Sequence, residues 1–308
     1  MGLRIRTNVS SLNAQRRLMS STESMRSSMS KLSSGERINK AADDAAGLAI
    51  SENLRADIRS LNQNRRNALD GVSLVQTAEG GLEETNNMLI RLRELATQAA
   101  SDTIGQTERQ FVDREFVALK DEIDRIAVAT EFNGTRLLVG NASDLGAEIS
   151  NAPGTFPLEV QVGKDYYVER DKIDDRNPVN IIKIDLNNLN AFTEGEGSLE
   201  LGRAENGTRV NTKQSAQTSI AQLDTAINRI NDYRSYLGAI QNRFTSTIAT
   251  LGSQVENLSE SRSRIRDTDF AAESATYTQN KILQQAGTSV LAQANQEPGV
   301  ALSLLQGL

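Results

Sequence analysis

The 308-residue chain contains no histidine, no cysteine and no tryptophan. Without histidine there is no Ser–His or Cys–His nucleophile pair and no zinc site built on imidazole. Without cysteine there is no disulfide, no thiolate nucleophile and no iron–sulfur cluster. Catalysis by carboxylates alone remains compatible with this composition, but the sequence shows no catalytic constellation. We therefore expect a protein that is not an enzyme and that holds no cofactor or metal.

Aromatic residues are also scarce, at 4% of the chain, and apolar residues make up 38%. That supply is small for a compact core, where aromatic rings provide much of the buried area. A helical bundle needs only one apolar stripe on each helix, and Leu, Ile, Val and Ala suffice for it. No run of 18 or more apolar residues occurs, so no transmembrane helix is expected.

The charge is moderate overall and uneven along the chain. The net charge of −6 and the pI of about 5.1 argue against nucleic-acid binding. Residues 1–40 carry +6 and residues 269–308 carry −2, so the two ends should attract each other. The basic end has no interleaved aromatic residues, so neither a nucleic acid nor a membrane is expected as a partner. The N-terminus also lacks the apolar stretch of a cleaved signal peptide.

Only four prolines occur, at positions 153, 157, 178 and 298. Because proline breaks helix interiors, the long proline-free stretches on either side of the centre permit very long helices. Apolar residues at steps of three and four then indicate where those helices lie. The predicted helices cover about residues 4–33, 43–100, 107–130 and 220–258, with a last amphipathic piece that reaches residue 305.

Seven-residue spacing runs through the long helices on both sides of the centre, a pattern typical of a coiled-coil seam. The predicted seam positions are Leu54, Leu61, Val75, Leu82, Leu89, Ile220, Ile227, Leu237, Phe244, Leu251 and Leu258. The two halves are separated by a segment that breaks this pattern. An antiparallel return of the chain on itself is therefore the simplest intramolecular arrangement.

In that central segment the period changes to two. Leu158 and Val160 alternate with polar residues, and so do Ile182 and Ile184, which predicts short, half-buried antiparallel strands. Asn133-Gly134, just before the segment, predicts a turn. The predicted fold class is thus mainly α: a long antiparallel helical coiled coil or bundle made by the N- and C-terminal halves, with a small β-hairpin insert.

Local signals mark where the helices begin and end. Gly35 suits the residue just past a helix terminus. Asp43 and Asp44 are expected to cap the second helix. Residues 107–110, with the sequence Thr-Glu-Arg-Gln, have the form of a capping box that opens the third helix. Residues 267–268, Asp-Thr, predict a break and a new cap before the last helix.

Several short motifs in a fixed order carry a family resemblance. They are Leu32-Ser33-Ser34-Gly35, Arg37-Ile38-Asn39, Ala42-Asp43-Asp44-Ala45-Ala46-Gly47, Phe132-Asn133-Gly134, Ala292-Gln293-Ala294-Asn295-Gln296 and Leu302-Ser303-Leu304-Leu305. Together they resemble bacterial flagellin over roughly residues 1–140 and 208–308. Agreement among independent motifs is far more specific than any one of them.

The resemblance implies a structural subunit that polymerises into the bacterial flagellar filament, the helical propeller of motility. It implies an inner domain of residues 1–42 and 267–308, a helical rod domain of residues 43–140 and 209–266, and a small β insert, residues 141–208, at the tip of the rod. The residues implied in inner-domain packing are Ile5, Val9, Leu12, Leu291, Leu302 and Leu305. These terminal stretches hold few large apolar residues, so we expect them to order only on polymerisation.

The implied partners are further copies of the chain, the flagellar cap and hook-associated proteins, and an export chaperone. The implied location is an extracellular filament, reached by type III export without a cleaved signal peptide. Two alternatives stay open. One is a hook–filament junction protein with flagellin-like ends, and the other is a secreted coiled-coil effector, which would not need both terminal signatures.

Residues 89–98 resemble the flagellin region that the host Toll-like flagellin receptor recognises. Arg91, Leu95 and Glu115 occupy the matching positions, and Ile90 replaces a polar residue that is common in recognised flagellins. The family uses this same surface for packing in the filament. Recognition by a receptor would therefore be incidental to the native role.

Overall fold

The structure is a computed structural model that describes residues 7–140, 156–164, 180–194, 198–202 and 207–306, the residues 297, 298 and 300–306 by their backbone alone. The chain divides into two compact units. Unit 1 is Met1–Ile58 with Glu256–Leu308, and unit 2 is Arg59–Val255. The three-domain division expected from the resemblance stays a prediction. No helix within the described residues is long and apolar enough to cross a membrane.

Five α-helices and four short strands form the described part of the chain. The helices are α1 (Val9–Ser34), α2 (Ala45–Ala99), α3 (Gln106–Ala129), α4 (Lys213–Arg266) and α5 (Phe270–Gln306). The strands are β1 (Glu131–Phe132), β2 (Thr135–Arg136), β3 (Leu158–Gln161) and β4 (Ile181–Ile184). The predicted mainly α fold class with a small β insert is confirmed.

The connection from α1 to α2 is built from local polar signals that the sequence displays. Gly35 adopts φ 72° and its N–H donates to the Lys31 carbonyl at 2.8 Å, which ends α1 as predicted. Asp44 caps α2, because its Oδ1 accepts from the Gly47 N–H at 2.9 Å. Asp43 instead accepts backbone hydrogen bonds within the connection, and these bonds lower the pKa of its carboxyl.

Two of the predicted caps are wrong in position. The capping box at residues 107–110 does not open α3, since the helix starts at Gln106 with Gly105 as its N-cap and no side-chain cap. The break before α5 is where it was predicted, but neither Asp267 nor Thr268 is the cap. Asp269 takes that role, and its Oδ1 accepts from the N–H groups of residues 271 and 272 at 2.9 and 3.2 Å.

Unit 2 is organised by the antiparallel run of α2 and α4. The ring of Phe244 lies directly over Gly71, and further along α2 the Arg93 guanidinium pairs with Asp224 at 2.6 Å. Residue numbers therefore rise along α2 where they fall along α4, as the predicted return of the chain requires. One hydrophobic cluster joins α2, α3 and α4, and its largest fully buried side chains include Phe116, Phe244, Leu82, Leu89 and Ile123.

The insert forms the predicted antiparallel strand pair. β3 and β4 pair with Leu158 opposite Ile184 and Val160 opposite Ile182. β4 is buried on both faces, since Ile181 is also covered, so its period-two pattern understates its burial. The Asn133-Gly134 turn is confirmed too, with φ of 51° and 77°, as a two-residue hairpin loop requires. The strands that it joins, β1 and β2, were too short to predict.

The contact between Gly71 and Phe244 generates a test of the α2–α4 packing. A Cβ at position 71 would lie 2.6–3.1 Å from three ring atoms of Phe244. We expect Gly71→Ala to destabilise the protein by about 1–3 kcal/mol, because the overpacking cost exceeds the gain in helix propensity. Urea unfolding of the full chain, followed by circular dichroism, measures the change.

Gly80→Ala is the matched control in the same helix. A Cβ at position 80 would meet nothing within 4 Å. This substitution should therefore leave stability unchanged or raise it by up to about 1 kcal/mol. Equal stability of the two variants would contradict the packing described here.

Candidate assembly interface

In unit 1 the helices α1 and α5 pair antiparallel, and specific polar contacts lie near the start of α1. Asn8 caps α1, since its Oδ1 accepts from the Ser11 N–H at 3.0 Å. The Asn8 side-chain amide also donates to the Ala294 carbonyl of α5 at 2.7 Å. The hydroxyl of Ser11 donates to Asn295 Oδ1, also at 2.7 Å. The two ends of the chain are thus joined through side chains rather than through a broad apolar seam.

Small residues fill the rest of the α1–α5 contact. Among the side chains of the pair that the structure describes, Ser11, Ser28 and Ala294 are the buried ones, at 6%, 3% and 6% exposure. At Gly287 an added Cβ would lie 3.4 Å from a methyl group of Leu18, which is ordinary contact distance. The helices approach each other closely, but they bury little large apolar surface between them.

Many large apolar side chains of α1 and α5 are exposed instead, while Leu18, Met25, Leu32 and Leu291 are half-buried. Among the side chains that the structure describes, the exposed set is Val9, Leu12, Met19, Met29, Phe270, Ile282, Leu283 and Val290. Solvent-facing apolar side chains in such number mark a surface that is covered by a partner. Within one chain, α1 and α5 leave that surface uncovered.

The structure describes the side chains of only three of the six residues predicted to pack in the inner domain. Val9 and Leu12 are 53% and 50% exposed, and Leu291 is half-buried. Ile5 lies outside the described residues, and Leu302 and Leu305 belong to α5 but are described by backbone alone. Their packing in an assembly stays a prediction.

The expected charge attraction between the two ends does not take the form of salt bridges. Among the residues that the structure describes, no ion pair joins α1 to α5. The contact is made by neutral hydrogen bonds and small side chains. Exposed ion pairs contribute little to stability, so their absence costs this helix pair little.

An ionic cluster at Arg266 joins the start of α2 to the end of α4 within unit 1. The Arg266 guanidinium pairs with Glu36 at 2.9 Å and with Glu52. The hydrogen bond from Arg266 lowers the pKa of Glu52. Backbone contacts reinforce the cluster: the Arg37 N–H donates to the Arg266 carbonyl at 2.6 Å, and Glu36 forms a β-bridge with Asp267. The α1–α2 connection and the α4–α5 connection are therefore held together.

Helix α3 carries a row of buried charges, which sequence reasoning missed. Arg109, Asp113, Lys120 and Asp124 are all 9% exposed or less. They fall at helical spacing on the face that also bears Phe116 and Ile123. The sequence did contain a signal for this row: charged residues stand at α3 positions where the spacing of the apolar stripe calls for apolar ones. A buried charge needs a partner, so these positions indicate buried polar contacts.

The partners of three of these charges, Asp113, Lys120 and Asp124, are in the segment that leads into α4. Lys120 Nζ donates to the Leu201 and Thr208 carbonyls at 3.0 and 3.1 Å, and burial lowers the pKa of this ammonium. Asp113 accepts from Arg209 at 2.6 Å and from the Val210 N–H at 3.0 Å. Buried charge on α3 thus organises backbone that lies outside the helices and strands and makes only scattered backbone hydrogen bonds of its own.

Asp124 does the same for an earlier part of the segment. Its carboxylate accepts from the Thr193 N–H at 2.8 Å and from the Thr193 hydroxyl at 3.1 Å. At the other end of α3, Arg109 donates to the carbonyls of Ala99 and Ser101, both at 2.8 Å. These bonds satisfy one carbonyl in the last turn of α2 and one just beyond it, where a helix leaves acceptors unpaired.

Two of the three residues predicted for receptor recognition meet on the surface of unit 2. Arg91 pairs with Glu115 at 2.9 Å across α2 and α3, and with Glu94 at 2.9 Å along α2. The hydrogen bonds that Arg91 donates to these carboxylates raise its pKa. Leu95 is only 2% exposed and lies in the hydrophobic core beneath them. Any direct contact at this surface would therefore involve Arg91 and Glu115 rather than the Leu95 side chain.

The predicted seam positions differ in how fully one chain covers them. Those that are buried are Leu61, Val75, Leu82, Leu89, Leu237, Phe244 and Leu251. Those that are half-buried are Leu54, Ile220, Ile227 and Leu258.

In the described part of the chain, no group of three His, Cys, Asp or Glu residues is arranged to hold a metal ion.

Comparison with known proteins finds matches at both ends of the chain. The profile described as "Bacterial flagellin N-terminal helical region" matches residues 5–143, and "Bacterial flagellin C-terminal helical region" matches residues 220–305. Flagellin of Bacillus subtilis is 40% identical over 99% of this chain and 100% of its own length. Polar flagellin C of Vibrio parahaemolyticus is 36% identical over 99% of this chain and 100% of its own.

A solved structure shares the fold at much lower identity. It is a protein of Vibrio parahaemolyticus whose structure bears the name of a flagellar hook-associated protein, and it is 13% identical, with a TM-score of 0.55. The match covers 73% of this chain and 100% of that one. At this identity the likeness concerns the fold alone.

The buried charges of α3 generate a second test. Asp113→Ala removes the acceptor of both the Arg209 guanidinium and the Val210 N–H. We expect a loss of about 2–3 kcal/mol in the free energy of unfolding, because a buried amide and a charged donor lose one shared acceptor. Urea unfolding of the full chain measures the loss.

Asp121→Ala, an exposed carboxylate on the same helix, is the control. It should change stability by no more than about 0.5 kcal/mol. If Asp113→Ala behaved like this control, the α3 charges would not be holding the segment that precedes α4.

Proposed function

The chain belongs to the bacterial flagellin family, whose members form the extracellular flagellar filament, and from this premise we propose how its paired ends contribute to the polymer. It is a structural subunit, not an enzyme. Its exposed apolar side chains on α1 and α5 become buried against the same helices of neighbouring subunits. The observation that carries this proposal is that the pair leaves Val9, Leu12 and Val290 exposed while it buries mainly small residues.

Assembly supplies what this helix pair lacks in one chain. Isolated helices are marginal unless an apolar face is covered, and here many of the larger apolar side chains, such as Leu12, Met19 and Ile282, are exposed. We infer that α1 and α5, as parts of an inner domain of residues 1–42 and 267–308, gain most of their order on polymerisation. Unit 2 has its own hydrophobic cluster and needs no such help.

The alternatives have less support. A hook–filament junction protein would share the fold, and one solved neighbour carries a hook-associated name at 13% identity. The full-length relatives at 36–40% identity are named flagellins. A secreted coiled-coil effector would not need matches to both flagellin terminal regions. The filament subunit accounts for both ends of the chain at once.

The finer partners follow from the proposed role. A subunit added to a growing filament meets the flagellar cap and hook-associated proteins, and its exposed C-terminal helix suits an export chaperone that covers Ile282, Leu283 and Val290 before assembly. Passage through a type III export apparatus without a cleaved signal peptide belongs to the same proposal.

The host Toll-like flagellin receptor is a further proposed partner. The proposal rests on the exposed ion pair between Arg91 of α2 and Glu115 of α3, which forms a charged surface across the two helices. Ile90, 45% exposed, is an apolar neighbour of that pair. Leu95 supports the surface from within the core.

The polymerisation proposal predicts the behaviour of a single exposed side chain. Purified full-length chain, seeded with sonicated filament fragments, should form filaments visible by electron microscopy. Leu12→Ser should raise the critical concentration roughly tenfold, since a large apolar side chain is no longer buried on assembly. Amide exchange in residues 9–34 and 270–296 should slow at least about tenfold on passing from monomer to filament.

The matched control is Gln15→Ser, an exposed polar residue on the same helix, which should polymerise like the wild type. Seeded wild-type chain that never elongates would overturn the filament role. Strongly protected amides in a verified monomer would overturn the proposal that the ends order on assembly.

The receptor proposal is tested in reporter cells that express the host flagellin receptor. Arg91→Ala should reduce the response to monomeric chain about tenfold, the effect of losing one central charged contact. Arg125→Ala, an exposed arginine paired only along α3 in the described contacts, should respond like the wild type. An absent response to the wild-type chain ends the proposal.

A further inference from the structure

Asn8 uses both ends of its side-chain amide. The oxygen accepts from the Ser11 N–H at 3.0 Å and caps α1. The nitrogen donates to the Ala294 carbonyl at 2.7 Å, across the contact with α5. A serine or aspartate would cap α1 as well as an asparagine does. The cap therefore does not explain why an amide, whose nitrogen donates while its separate oxygen accepts, stands at this position.

The carbonyl of Ala294 has a particular need for a donor. In an α-helix it would accept from the N–H four residues later, which is position 298. That residue is proline, which has no N–H, and the backbone of α5 continues as helix through it. Ala294 is itself buried, at 6% exposure, and the donor in contact with its carbonyl is the Asn8 amide. A buried carbonyl left without a donor is costly.

We propose that Asn8 is the residue that sets the register of the two terminal helices, by supplying to Ala294 the hydrogen bond that Pro298 cannot give. The proline creates one singular acceptor along an otherwise regular helix. The cap of α1 provides the one donor that matches it, so the start of α1 is placed at one turn of α5 and no other.

A register device is needed because the remaining contact specifies register weakly. The buried positions are small, such as Ser11 and Ser28, and Gly287 only touches Leu18 at ordinary distance. Interlocking of large side chains is what normally fixes the stagger of paired helices. A slip of one turn would break both polar contacts of the pair, the Asn8–Ala294 and the Ser11–Asn295 bonds, but of the two acceptors only the Ala294 carbonyl is a backbone group that lacks a donor from its own helix.

The test is a double-mutant cycle in seeded filaments of the full chain, with the critical concentration as the readout. Asn8→Ser keeps the cap and removes the amide nitrogen that reaches Ala294, since the serine hydroxyl is one bond closer to the backbone and is engaged in the cap. In the Pro298 background it should raise the critical concentration roughly fivefold. In the Pro298→Ala background the helix supplies its own N–H to Ala294, so the same Asn8→Ser change should have an effect of less than about twofold.

An equal effect of Asn8→Ser in both backgrounds would overturn the proposal and leave Asn8 as a cap only. The readout depends on filament formation, so failure of the wild type to elongate would count against the filament role. Elongation of the wild type with no coupling in the cycle would count against the register role alone.

A second variant keeps the proposal testable if Pro298→Ala does not polymerise. Asn8→Asp also retains the cap, but its carboxylate faces the Ala294 carbonyl with no hydrogen to donate until it is protonated. Acidification from pH 6 towards the ordinary aspartate pKa of about 4 should therefore strengthen Asn8→Asp filaments relative to wild type. Asn8→Ser filaments should show no such relative gain. Parallel pH profiles of the two variants would overturn the proposal.

Discussion

The need to cover a narrow apolar stripe along two very long helices is the constraint on which unit 2 depends. α2 has 55 residues and α4 has 54, and neither can be stable in water with its stripe exposed. Their antiparallel run covers both stripes, and Gly71 allows the Phe244 ring to sit directly on the α2 backbone. In a chain that is only 4% aromatic, such close approach makes good use of each ring.

Features that depend on local sequence were predicted well. The spacing of Leu61, Val75 and Leu82 is repeated along a helix whose direction is fixed by its own hydrogen bonds, so periodicity indicates which face is apolar. Gly35 ends α1 because few other residues adopt its positive φ without strain. The alternation at Leu158 and Val160 indicated strands for the same kind of reason, since a strand places successive side chains on opposite faces.

Features that depend on distant partners were missed. Lys120 and Asp124 look like solvated surface charges in the sequence, and only the fold brings the carbonyls of Leu201 and Thr208 and the N–H of Thr193 to them. Nothing local to α3 reveals those acceptors and donors. The misplaced cap at residues 107–110 has a related cause, since the motif fits a helix start but Gly105 already occupies that position in the chain's actual path.

The same constraint acts with the opposite outcome in unit 1. Helices α1 and α5 carry apolar residues too, yet they place Leu12, Met19 and Ile282 toward solvent and meet each other through small and polar groups. A pair that turned its large side chains inward would be a closed bundle with a polar exterior, and it would have nothing to offer a neighbouring copy. Because the apolar surface faces outward, the pair has low stability in a single chain and can associate with neighbouring copies. Register must then come from directional bonds, because hydrogen bonds specify position where a small-residue contact does not.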